Sequence, residues 1–155
     1  AIKYQILKQG KGKNIIFDPN QSLSVEGDSG PYLQYSTVRA RSVLKKFPAY
    51  AEAASQGRQI SNFKYQIEDA PETVALVERL LPRFPEIVLR ATRELEPHYI
   101  TTYLTELAAA FNSWYGQERI IGSEHEAYKL ALTDAFATTM EKGLALLGIP
   151  TVLRM

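Results

Sequence analysis

Cysteine is absent from this sequence and histidine is scarce, with two residues among 155. The absence of cysteine excludes disulfide bonds and thiolate metal sites, and it is typical of proteins that reside in the cytoplasm. His98 and His125 stand apart, and neither has a second histidine or a cysteine at helical spacing. The sequence therefore predicts no metal site and a cytoplasmic location.

Long apolar runs and a strong net charge are absent as well. No run approaches the ~18 apolar residues that a membrane helix needs, so we predict no membrane partner and no signal peptide. The net charge is only +1, and 45% of the residues are hydrophobic, which is typical of a globular domain with its own core. A protein that binds RNA through a broad electrostatic surface is more basic than this, so any RNA contact has to be local.

Helical periodicity is strongest in the second half of the chain. A helix is predicted to open at Pro97 and to end at Gly116, because five apolar residues recur within it at spacings of 4, 3, 4 and 3. These residues are Ile100, Leu104, Leu107, Phe111 and Trp114. The spacing predicts that one face of this helix packs into the core.

A second long helix is predicted from Ser123 to Leu147. Ser123 and Glu126 fit the capping-box pattern at its start, and Gly148 followed by Pro150 fits its end. Its core positions repeat every seven residues. They are Leu130, Ala137 and Leu144, and in parallel Thr133, Met140 and Leu147.

Prolines mark the shorter predicted elements. A helix is expected from Pro31 to Lys46, with Pro48 as its stop. Residues 48–70 lack a clear period and are interpreted as a linker with one short helical turn. Further helices are predicted to begin at Pro71 and at Pro85.

The first thirty residues differ from the rest because they lack a sustained helical period. A short helix is predicted around Ile2–Leu7, and residues 14–17 are predicted to form a short strand before Asp18-Pro19. The whole is expected to be an all-α helical bundle that begins with a short irregular segment.

Two stretches give the chain a family resemblance. The first runs from Glu26 to Tyr35 as E-G-D-S-G-P-Y-L-Q-Y, and the second is the final L-G-I-P-T-V-L-R-M. In their order and spacing they resemble the C-terminal part of arginyl-tRNA synthetases. In that family the first block joins the catalytic domain to a helical, DALR-type anticodon-binding domain. The resemblance therefore implies a remnant of that junction at residues 1–30 and an anticodon-binding domain at residues 31–155.

The resemblance also bears on catalysis. Class I synthetases bind ATP with HIGH-like and KMSKS-like motifs, and neither motif occurs here. In the family both lie upstream of the matching region, so this chain is interpreted as a fragment. The whole enzyme is then expected to use ATP and Mg²⁺ to join arginine to its tRNA, while this chain holds no cofactor and no catalytic residue. Glu26 and Asp28 lie in a glycine-rich loop, where turn and capping roles explain carboxylates.

Recognition of an RNA loop is the chemistry that remains. Every arginine anticodon has cytosine in the middle, and proteins read such bases by stacking them on aromatic rings and by hydrogen bonding to their edges. Tyr35, Arg39 and Ser42 share one face of a helix at positions i, i+4 and i+7. The resemblance places this face, together with Tyr115 at the end of the long helix, near the anticodon loop of arginine tRNA. A monomer is expected.

Three further residues take RNA-binding roles from the resemblance. Met155 is expected to pack back into the anticodon pocket, and Arg154 to contact a phosphate. Lys129 stands where the family often has arginine. Lysine lacks the planar fork of arginine, so a simple phosphate contact is expected of it.

Simpler interpretations stay open for these residues and for the chain. Tyr35 fits a half-buried packing residue, and Arg39 fits a solvated helix face. A helical domain of another class I synthetase is an alternative function, which the G-P-Y-L-Q-Y block and the final R-M disfavour. A helical module that binds protein through the apolar surface of residues 1–17 is the alternative from a different class.

Overall fold

The computed structural model describes residues 1–15, 17–55 and 65–152. In these ranges the regular structure is helical and includes no strand, which confirms the predicted all-α class. The helices are α1 (Ile2–Leu7), α2 (Pro19–Leu23), α3 (Gly30–Lys45), α4 (Pro48–Ser55), α5 (Leu76–Leu80), α6 (Phe84–Glu94), α7 (His98–Gln117) and α8 (Glu126–Leu146). A 3₁₀ turn at Leu81–Arg83 joins α5 to α6.

The core lies where α3, α7 and α8 pack together. The rings of Phe111 from α7 and Phe136 from α8 stack at its centre, with centroids 3.9 Å apart. The heptad positions predicted on α8 are buried, as is the predicted seam of α7 apart from Trp114, which is partly buried against the core. Fully buried members are Leu33, Ala40 and Leu44 on α3, Leu104 and Leu107 on α7, and Leu130, Ala137, Met140 and Leu144 on α8.

Two prolines that were interpreted as stops are in fact helix starts. Pro19 is the first residue of α2, and the Asp18 side chain caps this helix by accepting the Asn20 and Gln21 amides. Pro48 likewise begins α4, a helix of two turns in the predicted linker. Proline has no amide hydrogen, and the first turn of a helix does not need one, so proline is tolerated where a helix begins. In a helix interior the missing hydrogen bond ends the helix.

Three other local predictions were wrong. Residues 14, 15 and 17 form no strand, since no partner strand exists among the described residues; Ile16 lies outside them. Helix α5 begins at Leu76 and not at Pro71, and its N-cap residue Ala75 forms no side-chain capping hydrogen bond. The capping box of α8 does not form: Ser123 donates to the Ile120 carbonyl, and the Glu126 carboxylate accepts the Gly122 amide.

The Glu26–Gly30 block fastens the N-terminal segment to the bundle. Tyr4 is 1% exposed, and its hydroxyl donates to Asp28 and lies 2.7 Å from the Thr105 hydroxyl of α7. Burial raises the pKa of Tyr4, and the bond to Asp28 adds to this, so the phenol stays a neutral donor. A Cβ at Gly30 would lie 3.1 Å from the Tyr4 Cβ, so the block requires a small residue here.

Gly143 on α8 packs tightly against a side chain of α7. A Cβ built at this position lies 2.6 Å from Cδ2 of Leu104, a fully buried side chain. We expect Gly143→Ala to lower the free energy of unfolding by about 1–2 kcal/mol, because overpacking outweighs the gain in helix propensity. Gly116→Ala is the matched control, since nothing lies within 4 Å of its Cβ and added helix propensity stabilises α7. Chemical denaturation of both variants tests this, and an unchanged Gly143→Ala variant would contradict the packing.

Candidate RNA-binding site

Three of the predicted site residues meet on the surface formed by α3 and α7. Arg39 donates from Nη2 to the Tyr35 hydroxyl at 2.7 Å. Its guanidinium carbon lies 4.6 Å from the centre of the Tyr35 ring and 5.5 Å from the centre of the Tyr115 ring. Helical spacing brings Arg39 to Tyr35, since they are one turn apart, and the packing of α3 against α7 brings in Tyr115. We call these three residues the tyrosine–arginine cluster.

Asn112 orients the cluster, and sequence reasoning missed it. Its Oδ1 accepts from Arg39 Nη1 at 2.8 Å, while its Nδ2 donates to Tyr32 at 3.1 Å and to Ser36 at 2.8 Å. The amide therefore has partners for both its oxygen and its nitrogen, which fixes its direction. Asn112 follows Phe111 of the core seam, and its only signal in the sequence is a polar residue beside an apolar face.

Arg39 differs from Arg41 and Arg90 in the charge of the groups that its guanidinium contacts. Arg41 forms ion pairs with Asp134 and Glu141, and Arg90 pairs with Glu94. In the part of the chain that the structure describes, Arg39 has no carboxylate partner, and its two hydrogen bonds go to neutral oxygens. A guanidinium has five N–H donors, so three are left to bind a phosphate or a base edge.

The Tyr115 ring packs against an aromatic side chain of the core. It stacks on Phe111 with centroids 5.9 Å apart and planes 18° apart. Phe111 in turn stacks on Phe136 in the core. The Tyr115 ring thus has a fixed orientation, and its partial exposure suits a surface on which a base stacks.

The remaining predicted site residues do not join this cluster. Ser42 is exposed on α3, and its hydroxyl donates to the Val38 carbonyl of its own helix. Lys129 is buried, with its ammonium 2.8 Å from the Glu118 carboxylate and 3.2 Å from the Arg119 carbonyl. The phosphate contact predicted for Lys129 is not supported, because these partners already hold its charge inside the fold. Arg154 and Met155 lie outside the described residues.

The described ranges contain no group of three or more histidine, cysteine or acidic side chains placed to hold a metal ion. None of the helices described combines the length and the apolar character needed to cross a bilayer.

Arginine–tRNA ligases are among the proteins that this chain resembles in sequence. The chain is 34% identical to an arginine–tRNA ligase of Methanoregula boonei over 98% of its own length and 25% of the relative's. It is 36% identical to that of Clostridium acetobutylicum, covering all of this chain and 26% of the relative. The chain therefore spans about a quarter of the length of the curated relatives it matches.

Solved structures agree with these relatives. The arginyl-tRNA synthetase of Thermus thermophilus aligns with 99% of this chain and 26% of its own, with a TM-score of 0.75 and 30% identity. A putative arginyl-tRNA synthetase of Campylobacter jejuni shares the fold. It is 22% identical, aligns with 99% of this chain and 33% of its own, and gives a TM-score of 0.76. The DALR anticodon binding domain matches residues 33–155. Because that match covers most of this chain, the chain belongs to the family of DALR anticodon binding domains, as the two sequence blocks predicted.

Proposed function

We propose that this chain binds the anticodon arm of arginine tRNA, as the anticodon-reading part of an arginine–tRNA ligase. The observation that carries the proposal is the tyrosine–arginine cluster, in which a guanidinium lies beside two tyrosine rings and, among the described residues, has no carboxylate partner. Family membership and the names of the relatives support the same function.

The cluster suits a cytosine that has left the stack of the loop. A tyrosine ring offers a face on which the base stacks, and the unused N–H groups of Arg39 match the O2 and N3 acceptors of cytosine or a neighbouring phosphate. The Tyr35 oxygen accepts from Arg39, so its own hydrogen remains available to a further acceptor. The described hydrogen-bond partners of Arg39 are neutral and do not offset its positive charge, which favours an anionic ligand such as RNA.

The backbone just after α8 is bonded to the residue that precedes Tyr35 on α3. Gln34, the neighbour of Tyr35 on α3, donates to the Pro150 carbonyl at 2.7 Å. An extended chain spans ~3.3–3.6 Å per residue, so residues 151–155 have a reach of about 17 Å from that point. We propose that Met155 lines the base pocket and that Arg154 contacts a phosphate, as the sequence predicted.

The activity of a whole ligase is a wider proposal. A protein about four times longer would join arginine to tRNA with ATP and Mg²⁺, whereas this chain has no HIGH-like or KMSKS-like motif. Division at residue 30, a monomeric state and a cytoplasmic location remain predictions.

A protein-interaction module is the second candidate, because apolar side chains of the N-terminal segment are exposed. Ile2 is 63% exposed, and Ile6, Ile15 and Phe17 are about half exposed. In the proposed ligase, the longer polypeptide would cover this surface. As an isolated module, the same surface would bind another protein, and RNA binding would not be required.

Filter binding with anticodon stem–loops separates the two functions. We expect the 155-residue chain to bind a stem–loop with an arginine anticodon more tightly than one whose middle cytosine is replaced by guanine. A wrong base in a read position costs about 1–3 kcal/mol, or roughly 5–150-fold in affinity. Equal affinity for the two stem–loops would contradict anticodon reading, and the absence of any binding would favour the protein-interaction module.

A further inference from the structure

Lys129 joins the start of α8 to the end of α7. Its ammonium lies 2.8 Å from the Glu118 carboxylate, and it donates to the Arg119 carbonyl at 3.2 Å. Only 10% of the Lys129 side chain is exposed, so its charge is directed into the fold. These contacts cross from α8 to the first two residues that follow α7.

The two helix ends differ in how well they suit a cation. Lys129 is the fourth residue of α8, and the amino end of a helix carries partial positive charge, which disfavours a cation. Helix α7 has no basic residue in its own last turn, although its carboxyl end carries partial negative charge. Lys129 therefore stabilises the end of α7 and not the start of its own helix.

The last turn of α7 carries Tyr115 of the tyrosine–arginine cluster. Glu118 closes this turn, because its amide donates to the Trp114 carbonyl at 3.0 Å. The carboxylate of the same residue is the one that Lys129 binds. Helix ends fray unless their terminal groups are held, so the ion pair keeps the backbone around Tyr115 in place.

Other bonds hold the later part of this loop. The Ser123 hydroxyl, which lies 3.4 Å from the Lys129 ammonium, donates to the Ile120 carbonyl at 2.8 Å. The Gly122 amide donates to the Glu126 carboxylate at 2.7 Å, and Ile120 is buried. Loss of the lysine side chain is therefore expected to act on the residues next to α7 more than on the rest of the loop.

We infer that Lys129 is a positioning residue for RNA binding, which holds the end of α7 so that Tyr115 presents its ring beside Arg39. The inference rests on the proposed function. Lys129 needs no contact with RNA in this role, because it acts through Glu118 and the last helical turn. The role explains why a buried lysine lies at a helix start that disfavours its charge.

The substitution Lys129→Met tests the inference in two backgrounds. In the parent chain we expect roughly 3–10-fold weaker binding of the arginine stem–loop, because the RNA then has to order the helix end itself. In a Tyr115→Ala background, the same substitution should change affinity by less than about twofold, since the ring that Lys129 positions is gone. Lys142→Met, at an exposed lysine on α8, is the matched control for the loss of one charge and should bind nearly as the parent does.

A second substitution breaks the same ion pair from its more exposed side. Glu118→Ala removes the partner of Lys129 and makes the chain more positive, so a charge effect alone would strengthen RNA binding. The positioning role predicts the opposite, with roughly 2–5-fold weaker binding. Tighter binding of the stem–loop by Glu118→Ala would overturn the inference.

Amide hydrogen exchange gives a measurement that does not depend on RNA. In the Lys129→Met variant, the Gly116 and Glu118 amides should exchange faster, while the amides of Leu104 and Phe111 in the core of α7 keep their protection. Parent-like affinity of this variant, an equal loss in both backgrounds, or an equal loss in Lys142→Met would overturn the inference. Failure of the proposed function has a different signature, since the parent chain itself would then not discriminate the middle cytosine.

Discussion

Replacement of Arg41 by methionine is expected to lower the free energy of unfolding by about 2–4 kcal/mol. The Arg41 guanidinium joins α3 to α8 through both oxygens of Glu141 at 2.7 Å and through Asp134 at 2.6 Å, and it also donates to the Tyr50 hydroxyl of α4 at 2.8 Å. The Arg41 and Asp134 side chains are only 22% and 12% exposed. Without Arg41, two carboxylates would face the bundle with no cation between them.

The loss of unfolding free energy in the Arg41→Met variant should depend on pH. Burial raises the pKa of Asp134, and the bond to Arg41 opposes this rise, so removal of Arg41 raises the pKa further. When the pKa of a carboxyl group is higher in the folded state than in the unfolded state, the folded state keeps its proton at pH values between the two, whereas the unfolded state has released it. Stability therefore falls as pH rises from the unfolded-state pKa to the folded-state pKa. We expect the deficit relative to the parent to be smaller near about pH 5 than near about pH 7.

Denaturant titrations of parent and variant at both pH values check the Arg41 prediction. Arg90→Met is the matched control, because its ion pair with Glu94 is exposed, and such pairs contribute little to stability. Equal free energies of unfolding for the Arg41 and Arg90 variants would contradict the structural role of the buried network. A pH-independent deficit would contradict the part assigned to Asp134.

Replacement of Arg39 by methionine should have the largest effect on RNA binding. The substitution removes the charge, the stacking plane between Tyr35 and Tyr115, and the three free donors. Charge-assisted hydrogen bonds and cation–π contacts together are expected to contribute about 2–4 kcal/mol, which is a loss of roughly 30–900-fold. If Arg39 binds the backbone of the loop, the slope of log affinity against log salt concentration should also decrease by the amount expected for about one phosphate contact.

Two substitutions make the Arg39 result specific. Arg39→Lys keeps the charge but loses the planar fork, so we expect an intermediate affinity. Arg93→Met removes one positive charge from an exposed position on α6 and should bind the stem–loop nearly as the parent does. If Arg39→Met and Arg93→Met weaken binding equally, the effect is one of net charge, and the cluster is not the binding site.

The sequence predicted both ends of α7 well but misplaced the start of α8. The seam of α7 was correct because its apolar spacing reports directly on burial. The start of α8 was wrong because Ser123 and Glu126 fit a capping pattern, while in the fold both side chains bond the preceding loop. Local patterns do not show which of several nearby backbone groups a polar side chain will bind.

The binding cluster was predicted in part, for a similar reason. Tyr35 and Arg39 lie one turn apart on one helix, so their contact follows from spacing alone. Asn112 comes from another helix and reaches Arg39 only through the crossing of α3 and α7. The burial of Lys129 likewise depends on the loop that folds over it, and no periodicity in the chain indicates that loop.

The hydrogen bond from the Lys3 ammonium to the Gly148 carbonyl spans 145 residues of sequence, and this separation affects how the domain is made. At a synthesis rate of ~5–20 residues per second, roughly 7–30 s pass between translation of the two residues. During that time α1 lacks the bond to Gly148, and until Thr105 is made it also lacks the α7 contact of Tyr4. On the ribosome, the first helix of the chain is therefore among the last to acquire its native contacts.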